Sequence, residues 1–235
     1  MKKKILFLFL VLLLTGCKAD YNLKINLGGN VIESGSIYIE SSLLGKGNNS
    51  SDYNVFLEDL LKKSGADVYR TTMKIKKSNY VGVLFYHRYN SLSGYTNLTP
   101  AIRLLYDSVY DTNTNGYVQI HSSDKSKISE YHNPTSDVPS RVEGFEISIS
   151  LPYKVVKNNA TKVDSVNNTY TWVLLPGMSN DNIILEYREN EFYTTNPLYL
   201  ARFVDLYIYI AIALVLIILL VIAMIKSKLP YVNKL

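Results

Sequence analysis

The sequence predicts an α+β fold: an antiparallel sheet of roughly seven to nine strands with two amphipathic helices, plus one C-terminal transmembrane helix. Three observations lead there. Short stretches alternate apolar and polar residues with period two, most cleanly at 143–151 (EGFEISISL). Two segments, 52–63 and 99–110, place apolar residues at helical spacing instead. Residues 206–225 (LYIYIAIALVLIILLVIAMI) carry no charge at all.

Lys2, Lys3 and Lys4 precede an unbroken apolar run at 5–14. That has the pattern of a signal peptide and is shorter than the roughly 20 residues a spanning helix needs. The run closes on Leu14-Thr15-Gly16-Cys17, which reads as a lipobox. Leu14, Thr15 and Gly16 would be recognised by the signal peptidase, and residues 1–16 would be removed. The Cys17 thiol is a nucleophile that can take a thioether-linked diacylglyceryl group. Cys17 is the one cysteine of the chain. Used as an anchor, it leaves none for a disulfide, for a thiol enzyme or for a cysteine-based metal site.

Residues 21–27 alternate as a half-buried strand, and Gly28-Gly29-Asn30 turns the chain. Residues 31–40 return as a second strand with Ile32, Ile37 and Ile39 as core candidates. Gly35 interrupts their alternation and predicts a bulge. Asp52 caps a helix whose apolar positions are Val55, Phe56, Leu60 and Leu61. Lys62 and Lys63 suit its C-terminal dipole, and Gly65 ends it. Residues 67–76 and 80–89 form strands. Residues 91–97 read as a loop. Pro100 then opens a helix to about residue 110, with Ile102, Leu105, Tyr106 and Val109 on its apolar face. A strand follows at 117–121, then a polar surface loop at 122–142 with a short strand inside it at 127–131. A loop of that length is more often functional than idle. Residue 152 begins a link, 163–166 is an edge, and 170–175 and 183–187 complete a β-meander.

Residues 206–225, at about 1.5 Å per residue, make a helix about 30 Å long, the thickness of a hydrocarbon core. Tyr207 and Tyr209 suit the headgroup zone at its start, and Lys226, Lys228 and Lys234 follow it. By the positive-inside rule residues 226–235 form a short cytoplasmic tail and residues 17–205 an extracytoplasmic domain. The protein would sit in the cell membrane, lipid-anchored and single-pass. Charge agrees with this. The chain has 25 Lys+Arg and 20 Asp+Glu. Six of the bases (Lys2, Lys3, Lys4, Lys226, Lys228, Lys234) belong to the leader or tail, while every acid lies between them. The basic balance therefore comes from targeting and gives no support to nucleic-acid binding.

Enzyme signatures such as G-x-S-x-G, H-E-x-x-H, a P-loop or a dinucleotide fingerprint are absent, so no catalytic residue, metal or cofactor is expected. His87 reads as a packed residue, His132 as exposed, and His121 with Asp124 lacks a nucleophile. Asp107 and Asp111 read as a solvated helix face. Asp111-x-Asn113-x-Asn115-Gly116 has the start of a calcium loop, but Ser122 stands where its closing Glu would be. Trp172 is expected in the core.

The segments EISISLPYKVVKNNA (146–160), NNTYTWVLLPGM (167–178) and IILEYRE (183–189), between a lipobox and a late membrane helix, carry a resemblance. Together they resemble the LppM-type family of bacterial membrane lipoproteins. The resemblance implies an ectodomain of α/β type akin to lipid-binding proteins; the role in binding membrane glycolipids belongs to the mycobacterial member of that family, and the ligand is not carried over to this chain. The resemblance implies no catalytic residues. Membrane lipids are then the expected partners, through the diacylglyceryl group and the bilayer. Three readings of the ectodomain stand open. It binds a lipid or amphiphile in an apolar concavity between sheet and helices. It docks an envelope protein through the 122–142 loop or a sheet edge. It is an envelope hydrolase whose machinery the sequence does not advertise.

Overall fold

The computed structural model describes residues 18–41, 50–63, 65–75, 78–98, 101–128, 144–175, 177–178, 181–204 and 206–228. Eleven strands in these residues form two sheets. The larger takes β1 (Lys18–Ile25), β2 (Val31–Glu40), β3 (Asp67–Ile75), β4 (Ser78–Tyr89), β7 (Phe145–Ser150), β10 (Thr169–Leu174) and β9 (Lys162–Asp164) in the order β3-β4-β2-β1-β7-β10-β9. The smaller takes β5 (Val109–Thr114), β6 (Tyr117–Ser122), β11 (Ile184–Phe192) and β8 (Tyr153–Asn158) in the order β5-β6-β11-β8. The class is α+β as expected. The single antiparallel sheet is corrected to two, and the larger is mixed, because β1 runs parallel to β7.

Helix α1 (Ser50–Lys62) packs on β3 and β4. It buries Asn54, Leu57 and Leu61, while Val55 is exposed, so its inner face is rotated from the expected one. Helix α2 (Leu92–Asn97) occupies the expected loop at 91–97; the Ser91 hydroxyl caps it by accepting the Gly94 N–H at 2.9 Å. The expected helix at 99–110 is a single 3-10 turn (Ala101–Leu104) followed by β5. Its four apolar residues are buried as expected, but Val109 enters through a strand rather than a helix.

The expected β-meander is also corrected. After β7 the chain leaves the larger sheet at Leu151-Pro152, adds β8 to the smaller, and returns for β9 and β10. Asn168, in the left-handed region at φ 46°, pins this crossing: its amide donates to the carbonyls of both Leu151 and Tyr153 at 2.8 Å. Trp172 is in the core, with its indole N–H donating to Asn159 at 2.7 Å.

One face of the larger sheet is covered. There Tyr21, Leu23, Ile25, Val31, Phe85, Ile147, Ile149 and Trp172 join Leu57 and Leu61 of α1 and Val118, Ile120, Leu185 and Tyr187 of the smaller sheet in one core. Residues directly opposite in paired strands share a face. The other face of the larger sheet therefore presents Asp20, Asn22 and Lys24 of β1, Ser34 and Ser36 of β2, and Leu84 and Tyr86 of β4. This is the outer face.

Gly35 makes no bulge; the register runs unbroken from Val31 to Glu40. Ile32 consequently falls on the outer face, and Glu33 enters the core. The glycine is needed for close approach: a Cβ there would lie 2.3 Å from the Asp20 carbonyl and 2.6 Å from the Phe85 ring.

The chain continues through α3 (Pro197–Ala201), begun by Pro at its first turn and capped by Asn196, into α4 (Leu206–Lys228). Among the described residues no helix is long and apolar enough to cross a membrane. In α4 the side chains of residues 211–225 are described. Every one of those side chains is exposed. Cys17, Leu14, Thr15, Gly16, His132 and residues 129–143 of the expected loop lie outside the described residues, as do the side chains of Lys226 and Lys228.

Candidate functional site: a groove on the outer face

The outer face holds a groove of about 400 Å³. Its shape follows from side-chain size along one row of strands. Strand β2 contributes only Ser34, Gly35 and Ser36, whereas β3 and β4 on one side carry Tyr69, Leu84 and Tyr86. Small residues between large ones leave a trough. Asp20 and Asn22 of β1 form the opposite wall, and Phe85 completes the lining.

The two walls differ chemically. Tyr69, Leu84 and Tyr86 are exposed and offer apolar and aromatic surface with phenolic edges. The opposite wall is polar and internally ordered. The Asp20 carboxylate accepts from the Asn22 amide at 3.0 Å and from the Ser36 hydroxyl. Among the described residues no histidine or lysine lines the groove. Such a site can hold an amphiphile, apolar on one side and hydrogen-bonded on the other.

The groove is not where a concavity was expected. The space between the larger sheet and the elements that cover it is occupied by large buried side chains, Tyr21, Tyr95, Tyr106 and Tyr187 among them. At its centre is Glu33, fully buried. Its carboxylate accepts from the hydroxyls of Tyr21 (2.7 Å) and Tyr89 (2.9 Å) and from the Ile102 N–H (3.1 Å). Tyr21 also meets Tyr95 at 3.0 Å. Burial pushes the Glu33 carboxyl above its ordinary value, opposed by these donors, and burial raises the Tyr21 and Tyr95 hydroxyls. With its acceptors filled, the cluster ties β1, β2 and β4 to α2 and the 3-10 turn. It is a fastening of the core. The sequence held its signal in the strict phase of β2, where residues 31, 33, 35, 37 and 39 share a face and one of them is acidic.

The remaining candidates resolve into packing. His87 is half-buried against the Tyr89 ring at 3.9 Å, and burial lowers its pKa against the pull of Asp67. His121 stacks on Tyr110 at 5.5 Å and bonds Gln119. Asp107 pairs with Lys127 at 2.8 Å, while Asp111 lies in β5 and accepts from Thr96. The two do not share a helix. Asn115 (φ 55°) and Gly116 (φ 82°) make the tight turn between β5 and β6, which accounts for the calcium-like run. Among the described residues no group of three or more His, Cys, Asp or Glu could hold a metal ion. The start of the expected 122–142 loop is docked rather than free: Ser126 donates to Asp181, and Ile128 is fully buried.

The chain is structurally similar to the folded domain of LppM from Mycobacterium tuberculosis, solved by NMR. Identity is 16%, the match covers 79% of this chain and 95% of that one, and the TM-score is 0.40. No family model matches the sequence, and no curated protein matches it.

Proposed function

We propose that this chain is a membrane lipoprotein anchored at both ends, with a non-enzymatic ectodomain that holds a lipid or amphiphile in the outer-face groove. In this reading residues 1–16 are removed, Cys17 carries diacylglycerol, 206–225 spans the membrane, and 226–235 is the cytoplasmic tail. The groove carries the reading of the ectodomain: one aromatic and apolar wall faces one hydrogen-bonding wall, a few residues from Cys17. The C-terminal anchor is supported by α4 itself. Residues 211–225 are apolar and exposed on every side, a surface suited to hydrocarbon and not to water.

Docking of an envelope protein is the second reading. Strand β3 favours it, since this nine-residue edge has β4 on one side and no strand on the other among the described residues. Such an edge can accept a partner strand.

Native mass spectrometry of the full mature protein, released from membranes in mild detergent, tests the choice. The expected result is a retained amphiphile that is lost in Ser34→Phe, which fills the trough without entering the core. A bare chain mass at every lipid concentration would remove the binding reading and leave the docking one.

A further inference from the structure

Strand β1 is held at both ends by the segments that carry the two proposed anchors. At its start, Lys18 follows Cys17 directly, so their Cα atoms are about 3.8 Å apart. At its far end, the Leu27 N–H donates to the Phe203 carbonyl at 2.9 Å. Outward-facing Lys24 donates to the Arg202 carbonyl, and its ammonium stands 5.4 Å from the Phe203 ring. Phe203 is three residues from Leu206, where α4 begins, and the Tyr209 hydroxyl returns to the Ala201 carbonyl at 2.6 Å. The C-terminal anchor thus leaves from the outer-face side of the end of β1.

The distances then fix an orientation. From Lys18 to Ile25 the strand rises about 23 Å, at about 3.3 Å per residue. Three Cα steps separate Phe203 from Leu206, at most about 11 Å of chain. With both ends tied to one bilayer, β1 must lie within roughly 30° of the membrane plane. It is also the central strand of seven. Standing the sheet on edge would drive three strands, about 14 Å of sheet, below the membrane surface. The sheet must therefore lie flat. Its inner face is covered by α1 and the smaller sheet, and its outer face is buried toward Tyr38 and Tyr80 but open around Tyr69, Leu84 and Tyr86, which leaves that open part for the lipid.

That face has suitable residues. Tyr69 (60% exposed), Leu84 (42%) and Tyr86 (41%) stand out from it, and tyrosine suits the headgroup zone. Beside the C-terminal tether, Leu198 (81%) and Val166 (78%) are exposed on segments tied together by the bond from Arg202 to Asn167 at 2.7 Å.

We propose that the outer face of the seven-stranded sheet rests on the headgroup layer of the bilayer, with β1 parallel to the membrane and the groove opening onto lipid. This rests on the double-anchor reading. It makes the bilayer itself the source of the groove's ligand, without passage through water.

The test uses the full chain in liposomes. Because lipidation consumes Cys17, an introduced cysteine is a unique site for a fluorophore. Labels go at Tyr69→Cys and Tyr86→Cys on the outer face, and at Tyr110→Cys and Tyr117→Cys, which are exposed on the smaller sheet. A further label at Ile212→Cys lies within α4. Quenching by a headgroup-attached nitroxide is expected to be several-fold stronger at 69 and 86 than at 110 and 117. Equal or reversed quenching overturns the orientation. If Ile212→Cys escapes a quencher on the acyl chains, the spanning anchor fails and the orientation falls with it. Outer-face quenching together with a bare native mass would keep the orientation and remove only the bound amphiphile.

Discussion

Glu33 occupies an inward position of β2, and its neighbours rather than its own chemistry make that tolerable. The carboxylate accepts from three buried donors. Glu33→Ala removes the acceptor for all of them and is expected to cost about 3 kcal/mol or more. Glu33→Gln keeps an acceptor and should cost less. The two differ in pH response as well. Burial raises the folded-state carboxyl above its ordinary value near 4.5, so at a pH between the two values the folded chain holds a proton that the unfolded chain has released. The associated stability is complete below about pH 4.5 and is lost as pH rises through the folded-state value. Thermal unfolding in detergent, followed upward from pH 4.5, should show the wild-type midpoint falling relative to that of Glu33→Gln. The Glu33→Gln variant should lack this component of the slope. A wild-type midpoint that does not fall relative to that of Glu33→Gln over the interval would contradict the raised carboxyl.

At the scale of the element, two glycines set how closely strands and core can pack. A Cβ at Gly82 would lie 2.0 Å from the Ile37 carbonyl, and one at Gly35 2.3 Å from the Asp20 carbonyl. Both obstacles are paired backbone and cannot yield cheaply. Gly35→Ala and Gly82→Ala are expected to lose at least about 2–3 kcal/mol by overpacking. Gly28→Ala meets nothing within 4 Å and suffers only from its φ of +87°, at about 1 kcal/mol. Denaturation midpoints should follow that order. The strands β1, β7 and β10 were legible in the sequence because each shows one buried face with period two, whereas β2 and β4 bury residues of both faces and were legible from their apolar and aromatic content. Strand β8 was not: past Tyr153 its residues are mostly exposed, so it carries almost no periodic signal. Ile102, Leu105, Tyr106 and Val109 have helical spacing and are all buried, yet a turn and a strand share them. Glu33 holds the Ile102 N–H at this point, a tertiary contact no local pattern contains.

Across the whole molecule, pairing is what the sequence concealed. Strands β1 and β7 pair in parallel from opposite ends of the domain, and the β7–β11 segment is divided between two sheets. The groove depends on other pairings, those among β1 to β4. Ser34, Gly35 and Ser36 are unremarkable in a strand until β4 and β3 bring Leu84, Tyr86 and Tyr69 beside them. The anchors are the reverse case. The lipobox and the 206–225 run are local signals with length and charge requirements of their own, legible without any fold. Their joint consequence, a sheet laid flat on the bilayer, needed the contacts that bring Phe203 to the end of β1.

Two independent anchors are the premise on which the placement of the groove depends, and membrane fractionation with an alkaline carbonate wash tests them directly. Four forms are compared: wild type, Cys17→Ser exported behind a cleavable non-lipoprotein leader, a chain ending at residue 205, and the two changes combined. Either anchor alone should suffice, since a spanning helix is effectively permanent and a diacylglyceryl group supplies two acyl chains. Both single variants are expected to stay with the membrane and the combined form to be released. Release of either single variant, or retention of the combined form, would contradict the double anchor.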